Sequence, residues 1–104
     1  MPSNNARIVK VHTTFRNLEG TDAIKTHVSD KIGGTIQKFV HQDTEAHVVL
    51  NVEKTRHIAE VSFRSDGADF ACKEESVDMY ASVDKLSETL SHQLRKHKEK
   101  FKSH

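Results

Sequence analysis

Residues 78–102 read DMYASVDKLSETLSHQLRKHKEKFK, and this stretch decides the fold more than any other part of the chain. On a helix, at about 100° per residue, its apolar side chains fall on one stripe. These side chains are Met79, Val83, Leu86, Leu90, Leu94 and Phe101. Five cations lie away from the stripe, with Glu99 as the one acidic residue among them: Arg95, Lys96, Lys98, Lys100 and Lys102. The stretch therefore predicts a core-facing helix with a densely cationic far side, which favours a polyanionic partner such as a nucleic acid.

Four shorter segments before this helix have the composition of β-strands. Residues 7–13 form a run rich in β-branched side chains, and apolar residues alternate with other residues over 46–52 and 59–63. Phe70 and Cys72 indicate a fourth strand. Alternation with period two is typical of a strand that is buried on one face only. The pattern therefore predicts four strands, with a connection at 15–20, a turn at 54–56 and a hairpin turn at 65–67.

A first helix is predicted from Asp22 to Phe39, because apolar residues recur there at helical spacing. Thr21 is the expected N-cap. Gly33 and Gly34 lie inside the pattern and weaken it, each by about 1 kcal/mol relative to alanine. Ser76 or Asp78 is expected to cap the last helix.

The predicted fold is α+β, with the element order β-α-β-β-β-α. Two amphipathic helices would pack on one face of a four-stranded, mostly antiparallel sheet. We expect residues 1–6 to be a disordered lead-in and residues 7–104 to form a single domain, which suits a chain of 104 residues.

Charge is segregated along the chain although the formal net charge is only +1. Residues 66–78 contain five carboxylates against Lys73, whereas residues 95–102 contain five cations against Glu99. Such a surface orients a molecule on an anionic partner. No segment of about 18 apolar residues and no signal peptide is recognisable, and Cys72 is the single cysteine. We therefore expect a cytoplasmic protein without a disulfide and without a membrane partner.

The cations of the two helices form rows that could bind phosphates or could be ordinary solvent-exposed charge. Arg95, Lys98 and Lys102 make one row, and Lys85, His92 and Lys96 make a second. His27, Lys31, Gly34 and Lys38 line one flank of the first helix, so the two helices could frame a cationic groove with a close backbone approach at Gly34. Phosphate binding explains this pattern, but so does ordinary solvated charge at helix ends. Lys54 adds positive charge at a strand end, where lysine is common in turns.

The residue types of a metal site or an enzyme do not assemble in this sequence. No two of the eight histidines have the i, i+4 spacing of a shared metal-binding helix face, and Cys72 has no cysteine partner. There is no glycine-rich phosphate loop and no nucleophile elbow. Tyr80 is interpreted as a packing residue and His97 as part of the core edge. We therefore expect no cofactor, no metal and no catalytic activity.

Three motifs resemble those of the ribosome hibernation promoting factor family, also called the ribosome-associated inhibitor A or sigma-54 modulation protein family. They are VVLNVEK at 48–54, DMYA at 78–81 and QLRKHKEK at 93–100. The half of the chain before residue 48 is similar to the family in the order of its elements. The resemblance implies a fold related to double-stranded RNA-binding domains.

The resemblance also implies a function. Family members sit on the small ribosomal subunit between head and body, cover the sites of messenger and transfer RNA, and inhibit translation by occlusion. Carried over to this chain, the rRNA-facing positions are Lys31, Lys38, Lys54, Lys85, Lys96, Lys98 and Lys100. The cationic rows of the last helix add His92, Arg95 and Lys102 as rRNA-binding candidates. The chain resembles the short form, without a C-terminal dimerisation domain. That form is a monomer off the ribosome and promotes inactive ribosome dimers with a separate modulation factor.

This chain departs from the family pattern at Thr89 and His92, where cations are usual, and Arg95 adds one nearby. Two other functions fit the residues. A free-standing double-stranded RNA-binding module would use the same cations on other RNAs. A protein-binding transcription regulator would instead dock through the acidic residues of 66–78.

Overall fold

The computed structural model describes the backbone of residues 8–102 and the side chains of residues 8–99. The strands are β1 (Val9–Arg16), β2 (Thr44–Glu53), β3 (Arg56–Ser65) and β4 (Ala68–Ser76). The first helix is continuous but has three parts: α1 (Asp22–Val28), a π-helical turn (Ser29–Gly33) and α2 (Gly34–Phe39). The last helix is α3 (Met79–Lys102). The predicted order β-α-β-β-β-α is confirmed, whereas the predicted lead-in at 1–6 lies outside the described residues.

The sheet has the strand order β1-β2-β3-β4. β1 pairs with β2 in parallel, and the two other pairings are antiparallel, so the sheet is mostly antiparallel as predicted. A parallel pair requires a crossover connection, which the first helix provides. Because β1 and β4 run in the same direction, the first helix and α3 both start at the same end of the sheet and run parallel to each other.

The core lies between the sheet and the two helices. The helix-facing residues of β2 and β3 are almost fully buried, and Val48 pairs with Val61 at the centre. From α3 the predicted stripe is buried as far as Leu94, and from the first helix Val28, Ile32 and Ile36 are fully buried. Burying a large aliphatic side chain contributes roughly 1.5–3 kcal/mol, so this layer supplies most of the stabilisation. The predicted role of Phe101 falls outside the described side chains.

The predicted first strand of residues 7–13 ended too soon, and among the described residues β1 begins at Val9. β1 continues to Arg16, because every residue from Val9 to Arg16 pairs with β2, and Phe15 packs on the core. The connection predicted at 15–20 therefore begins only after Arg16. Gly20 lies against the Phe15 ring, where a Cβ atom would approach ring atoms to 2.5 Å.

Both hairpins close with two-residue turns that include residues in the left-handed conformation. Lys54 has φ 59°, and Arg56 belongs to β3 because it pairs with Glu53, so the predicted three-residue turn is one residue too long. The second turn, predicted at 65–67, is also one residue shorter, because Ser65 pairs with Ala68. Its central residues are Asp66 at φ 54° and Gly67 at φ 77°. In this second turn, positive φ at both central residues matches the twist of the strands.

The first helix has the predicted limits but not the predicted regularity. The Thr21 hydroxyl accepts a bond from the Ile24 amide, as expected of an N-cap. The π-helical turn ends at Gly33, in the glycine pair that was expected to weaken the helix. Gly34 does not allow a close approach, since a Cβ atom built there has no neighbour within 4 Å. In the described residues, no helix has an apolar segment long enough to cross a membrane.

Candidate nucleic-acid interface

The first helix and α3 contact each other along a polar line, here called the helix seam (His27, Lys31, Thr35, Asp84 and Ser87). Nε2 of His27 lies 2.8 Å from Oδ1 of Asp84, and Nζ of Lys31 lies 3.8 Å from the same oxygen. Further along, the hydroxyl oxygens of Thr35 and Ser87 are 2.8 Å apart. The two helices are therefore in direct contact along this seam, where a cationic groove was one of the two interpretations of the sequence.

The π-helical turn positions one carbonyl for both helices. The carbonyl oxygen of Lys31 accepts a bond from the Thr35 hydroxyl at 2.8 Å and another from the Ser87 hydroxyl at 3.3 Å. A π-helical turn displaces carbonyls from the regular ladder and often occurs at functional sites. Here it allows α3 to bond to the backbone of the first helix.

Some of the predicted rRNA-contacting residues lie on the seam side of α3. Residues spaced by three or four positions share a helix face, so Arg95 and Lys98 follow Asp84 and Ser87 along the same flank. Both cations are exposed. Lys38 is exposed one turn beyond Thr35 on the first helix. We call this surface the seam flank (Lys31, Lys38, Arg95 and Lys98).

The other row of cations lies on the opposite side of α3, towards the sheet edge at β4. Nζ of Lys85 donates to the carbonyl of Glu75 at 3.3 Å, and the Thr89 hydroxyl donates to the Glu74 carboxylate at 2.6 Å. His92 and Lys96 continue this row and are exposed. We call it the edge flank (Lys85, His92 and Lys96). The structure thus divides the predicted residues between two flanks instead of collecting them in one groove.

The cations also differ in whether the chain already neutralises them. Lys31 is paired with Asp84, and Lys85 is bonded to the β4 backbone. Among residues 8–99, Arg95, Lys96 and Lys98 enter none of the ion pairs. Lys54 is exposed in its turn at the other end of the sheet. The side chains of Lys100 and Lys102 lie outside the described ones.

The acidic residues of 66–78 are bonded to groups of the chain itself. Asp69 accepts from Arg64 at 2.9 Å, and Asp66 accepts from Gln42 at 3.3 Å. The guanidinium of Arg56 donates two bonds to Glu75, and they hold the pKa of Glu75 below its ordinary value. Glu74 accepts from Thr89 as described, and the Asp78 carboxylate caps α3 by accepting from the Tyr80 amide.

The setting of Tyr80, which was interpreted from the sequence as a packing residue, was not predicted. Its ring makes an edge-to-face contact with His27, with centroids 5.0 Å apart, yet the residue is 42% exposed. Its exposure could have been predicted from helical geometry, because Tyr80 lies one turn before Asp84 and away from the apolar stripe. His97 does lie at the core edge as predicted, with its ring edge-to-face on Phe70 at 5.1 Å. In the described part of the chain, no three histidine, cysteine or acidic residues gather as metal ligands do.

The residues from β1 to the cationic end of α3 match a known family profile. The profile described as sigma 54 modulation protein / S30EA ribosomal protein covers residues 11–102. The chain belongs to this family. The match includes the three resembling motifs and the whole helix seam.

Individual proteins that are similar in sequence to this chain support the same family assignment. The ribosome hibernation promoting factor of Salmonella typhimurium is 32% identical over 96 residues, which are 92% of this chain and 100% of that protein. The protein of the same name from Azotobacter vinelandii is 34% identical over 92 residues, or 88% of this chain and 85% of that protein.

Solved structures of the family have the same architecture. The N-terminal domain of Protein Y from Thermus thermophilus superimposes with a TM-score of 0.76 at 27% identity, covering 85% of this chain and 98% of that domain. A ribosomal subunit interface protein from Coxiella burnetii has a TM-score of 0.77 at 22% identity, covering 86% and 97% respectively. This second likeness supports the fold alone.

Proposed function

We propose that this protein is a cytoplasmic ribosome hibernation factor that binds the rRNA of the small subunit. It covers the decoding region, excludes messenger and transfer RNA, and so inhibits translation without catalysis. With a separate modulation factor it promotes inactive ribosome dimers. The named function of its relatives supports this proposal. The observation that carries it is a set of exposed cations on α3, Arg95, Lys96 and Lys98, which enter no ion pair among the side chains of residues 8–99.

The charge arrangement suits a phosphate backbone. An exposed lysine or arginine that approaches a phosphate releases condensed counterions, which favours binding at low salt. Cations on both flanks of α3 can contact phosphates on two sides of the helix at once. Cations that already pair with a group of the protein contribute less binding free energy, because a phosphate must first displace that group. We therefore rank Arg95, Lys96 and Lys98 above Lys31 and Lys85 as contributors to affinity.

The test is a cell-free translation reaction combined with binding to purified small subunits. Saturating protein should suppress synthesis and should compete with transfer RNA for the P site. The affinity should fall by orders of magnitude between about 50 and 200 mM salt if six or more phosphates are contacted. The triple variant Arg95→Gln, Lys96→Gln, Lys98→Gln is the matched control and should inhibit only weakly. Undiminished synthesis at saturating protein contradicts the proposal.

The same experiments separate the two alternative functions. A free-standing RNA-binding module would sediment with bulk RNA and not with small subunits. A protein-docking regulator would bind with little dependence on salt. The carboxylates of 66–78 support that regulator poorly, because Asp69 and Glu75 are already paired with arginines of the chain.

A further inference from the structure

Tyr80 is a large aromatic side chain that the protein holds in place but does not cover. The Asp78 carboxylate accepts from its backbone amide at 3.0 Å and fixes the first turn of α3. Its ring contacts the His27 ring at an interplanar angle of 62°, and His27 is itself bonded to Asp84. The residue is nevertheless 42% exposed. An ordered aromatic ring is thus presented to solvent beside the helix seam.

The surroundings of the ring suit a nucleic acid. Along α3, Tyr80 shares a side with Asp84 and Ser87, and further on with Arg95 and Lys98. The rise of the helix separates Tyr80 from Lys98 by about 27 Å, so the ring and Lys98 lie at opposite ends of one surface. The negative charge of Asp84 is offset by Lys31 at 3.8 Å. A strand that follows this surface meets cations for its phosphates and an aromatic ring for a base.

We propose that Tyr80 is a stacking platform for one unpaired nucleobase of the bound RNA. This inference rests on the proposed function, which supplies the RNA. Stacking uses the π-face that every base has, so it adds affinity without demanding a particular sequence. The contact with His27 restricts the ring before binding, so less conformational freedom is lost when the base stacks.

The first experiment compares variants at this position in binding to purified small subunits. Tyr80→Leu removes the aromatic face and should weaken binding by about tenfold. Tyr80→Phe keeps the ring and should bind within about twofold of the parent. Val77→Ala is the matched control, because Val77 is an 85% exposed aliphatic residue of the neighbouring turn. Its affinity should not change.

The salt dependence separates stacking from charge. Tyr80→Leu should lower the affinity at every salt concentration and leave the slope of log affinity against log salt unchanged. Lys98→Gln should reduce that slope by about 0.7–0.9, which is the value for one lost phosphate contact. A change of slope in Tyr80→Leu would mean that the variant disturbs the cations, and it would overturn the platform.

The second experiment asks what the ring touches. A photoreactive benzoylphenylalanine in place of Tyr80 should cross-link the protein to a nucleotide of the small-subunit rRNA. A cross-link only to a ribosomal protein, or no cross-link from a bound complex, overturns the inference, as does unchanged affinity of Tyr80→Leu. If the parent protein does not bind the small subunit at all, the proposed function fails and the inference fails with it. Normal binding by both the parent and Tyr80→Leu refutes the platform alone.

Discussion

Nε2 of His27 lies 2.8 Å from Oδ1 of Asp84, which joins the first helix to α3 across 57 positions of sequence. The same oxygen lies near Nζ of Lys31, so one carboxylate organises both the helix contact and a cation of the seam flank. The bond also holds the imidazole against which Tyr80 rests. Residues that the sequence spaces far apart thus form one surface.

Replacing Asp84 tests how much this carboxylate restrains Lys31. Asp84→Asn should raise the affinity for small subunits at low salt, because Lys31 is released to meet a phosphate. The free energy of unfolding should fall by about 1 kcal/mol or less, since the pair is partly exposed. Glu88→Gln removes the same charge from α3 away from the seam and is the control. An equal gain in both variants would assign the effect to net charge alone.

Removing the free cations should separate binding from folding. In the triple variant Arg95→Gln, Lys96→Gln, Lys98→Gln, we expect a change in stability of about 0.5 kcal/mol or less per site, since exposed substitutions rarely cost more. The affinity for small subunits should fall steeply. Leu90→Ala, which empties a fully buried position, should instead cost roughly 2–5 kcal/mol. Thermal unfolding and sedimentation measure the two effects. Unfolding of the triple variant would show that the cationic end is part of the folded framework.

Replacing Gly34 or Gly20 by alanine should change the stability of the protein in opposite directions. Gly34→Ala should stabilise the protein by about 0.4–1 kcal/mol, because Gly34 has helical angles and open space around it. Gly20→Ala should destabilise it, because the new Cβ would lie 2.5 Å from the Phe15 ring. Chemical denaturation of both variants gives the comparison. A destabilised Gly34→Ala would indicate that the π-helical turn needs its flexible neighbour.

Acidification should release the bond between Arg56 and Glu75. The hydrogen bonds from Arg56 lower the pKa of Glu75, so folding keeps this carboxylate ionised at a lower pH than in the unfolded chain. The Glu75 carboxylate therefore contributes to the free energy of unfolding above the pKa of the unfolded chain, about 4.3. This contribution is lost as the pH falls through the pKa of the folded protein. Arg56→Gln should raise the pKa of Glu75, measured by NMR titration of its carboxyl carbon. Arg64→Gln should not, and a Glu75 pKa unaffected by Arg56→Gln would contradict the assignment.

Cys72 should react slowly in the folded protein. Burial raises the pKa of its thiol, and Glu74 raises it further, so the reactive thiolate is scarce at neutral pH. Because the folded state holds the proton more tightly, this group favours folding below the unfolded thiol pKa of about 8.5, and the contribution declines as the pH rises above it. An aromatic disulfide reagent measures the rate, with the urea-unfolded protein as control. Equal rates in both states would contradict the burial.

Local sequence patterns are enough to predict the helices and strands of this protein and the positions of its charged residues. The stripe from Met79 to Leu94 and the alternation in β2 and β3 predicted helix and strand, because each period places apolar side chains on one face. The cations after Leu94 predicted an anionic partner, because lysine and arginine side chains stay exposed and can attract negative charge. These properties depend on neighbours within a few positions, so they can be derived from one stretch at a time.

The contacts between residues that are far apart in the sequence follow from the packing of the elements. The extension of β1 from Thr14 to Arg16 depends on β2, which supplies the backbone groups that these residues pair with. The division of the cations into seam and edge flanks depends on the packing angle of α3 between the first helix and β4. The ring contact of Tyr80 requires His27 from the first helix, and the ion pair of Lys31 requires Asp84 from α3. Long-range contacts of this kind arise when the core buries its apolar faces and brings distant side chains together, which no local period encodes.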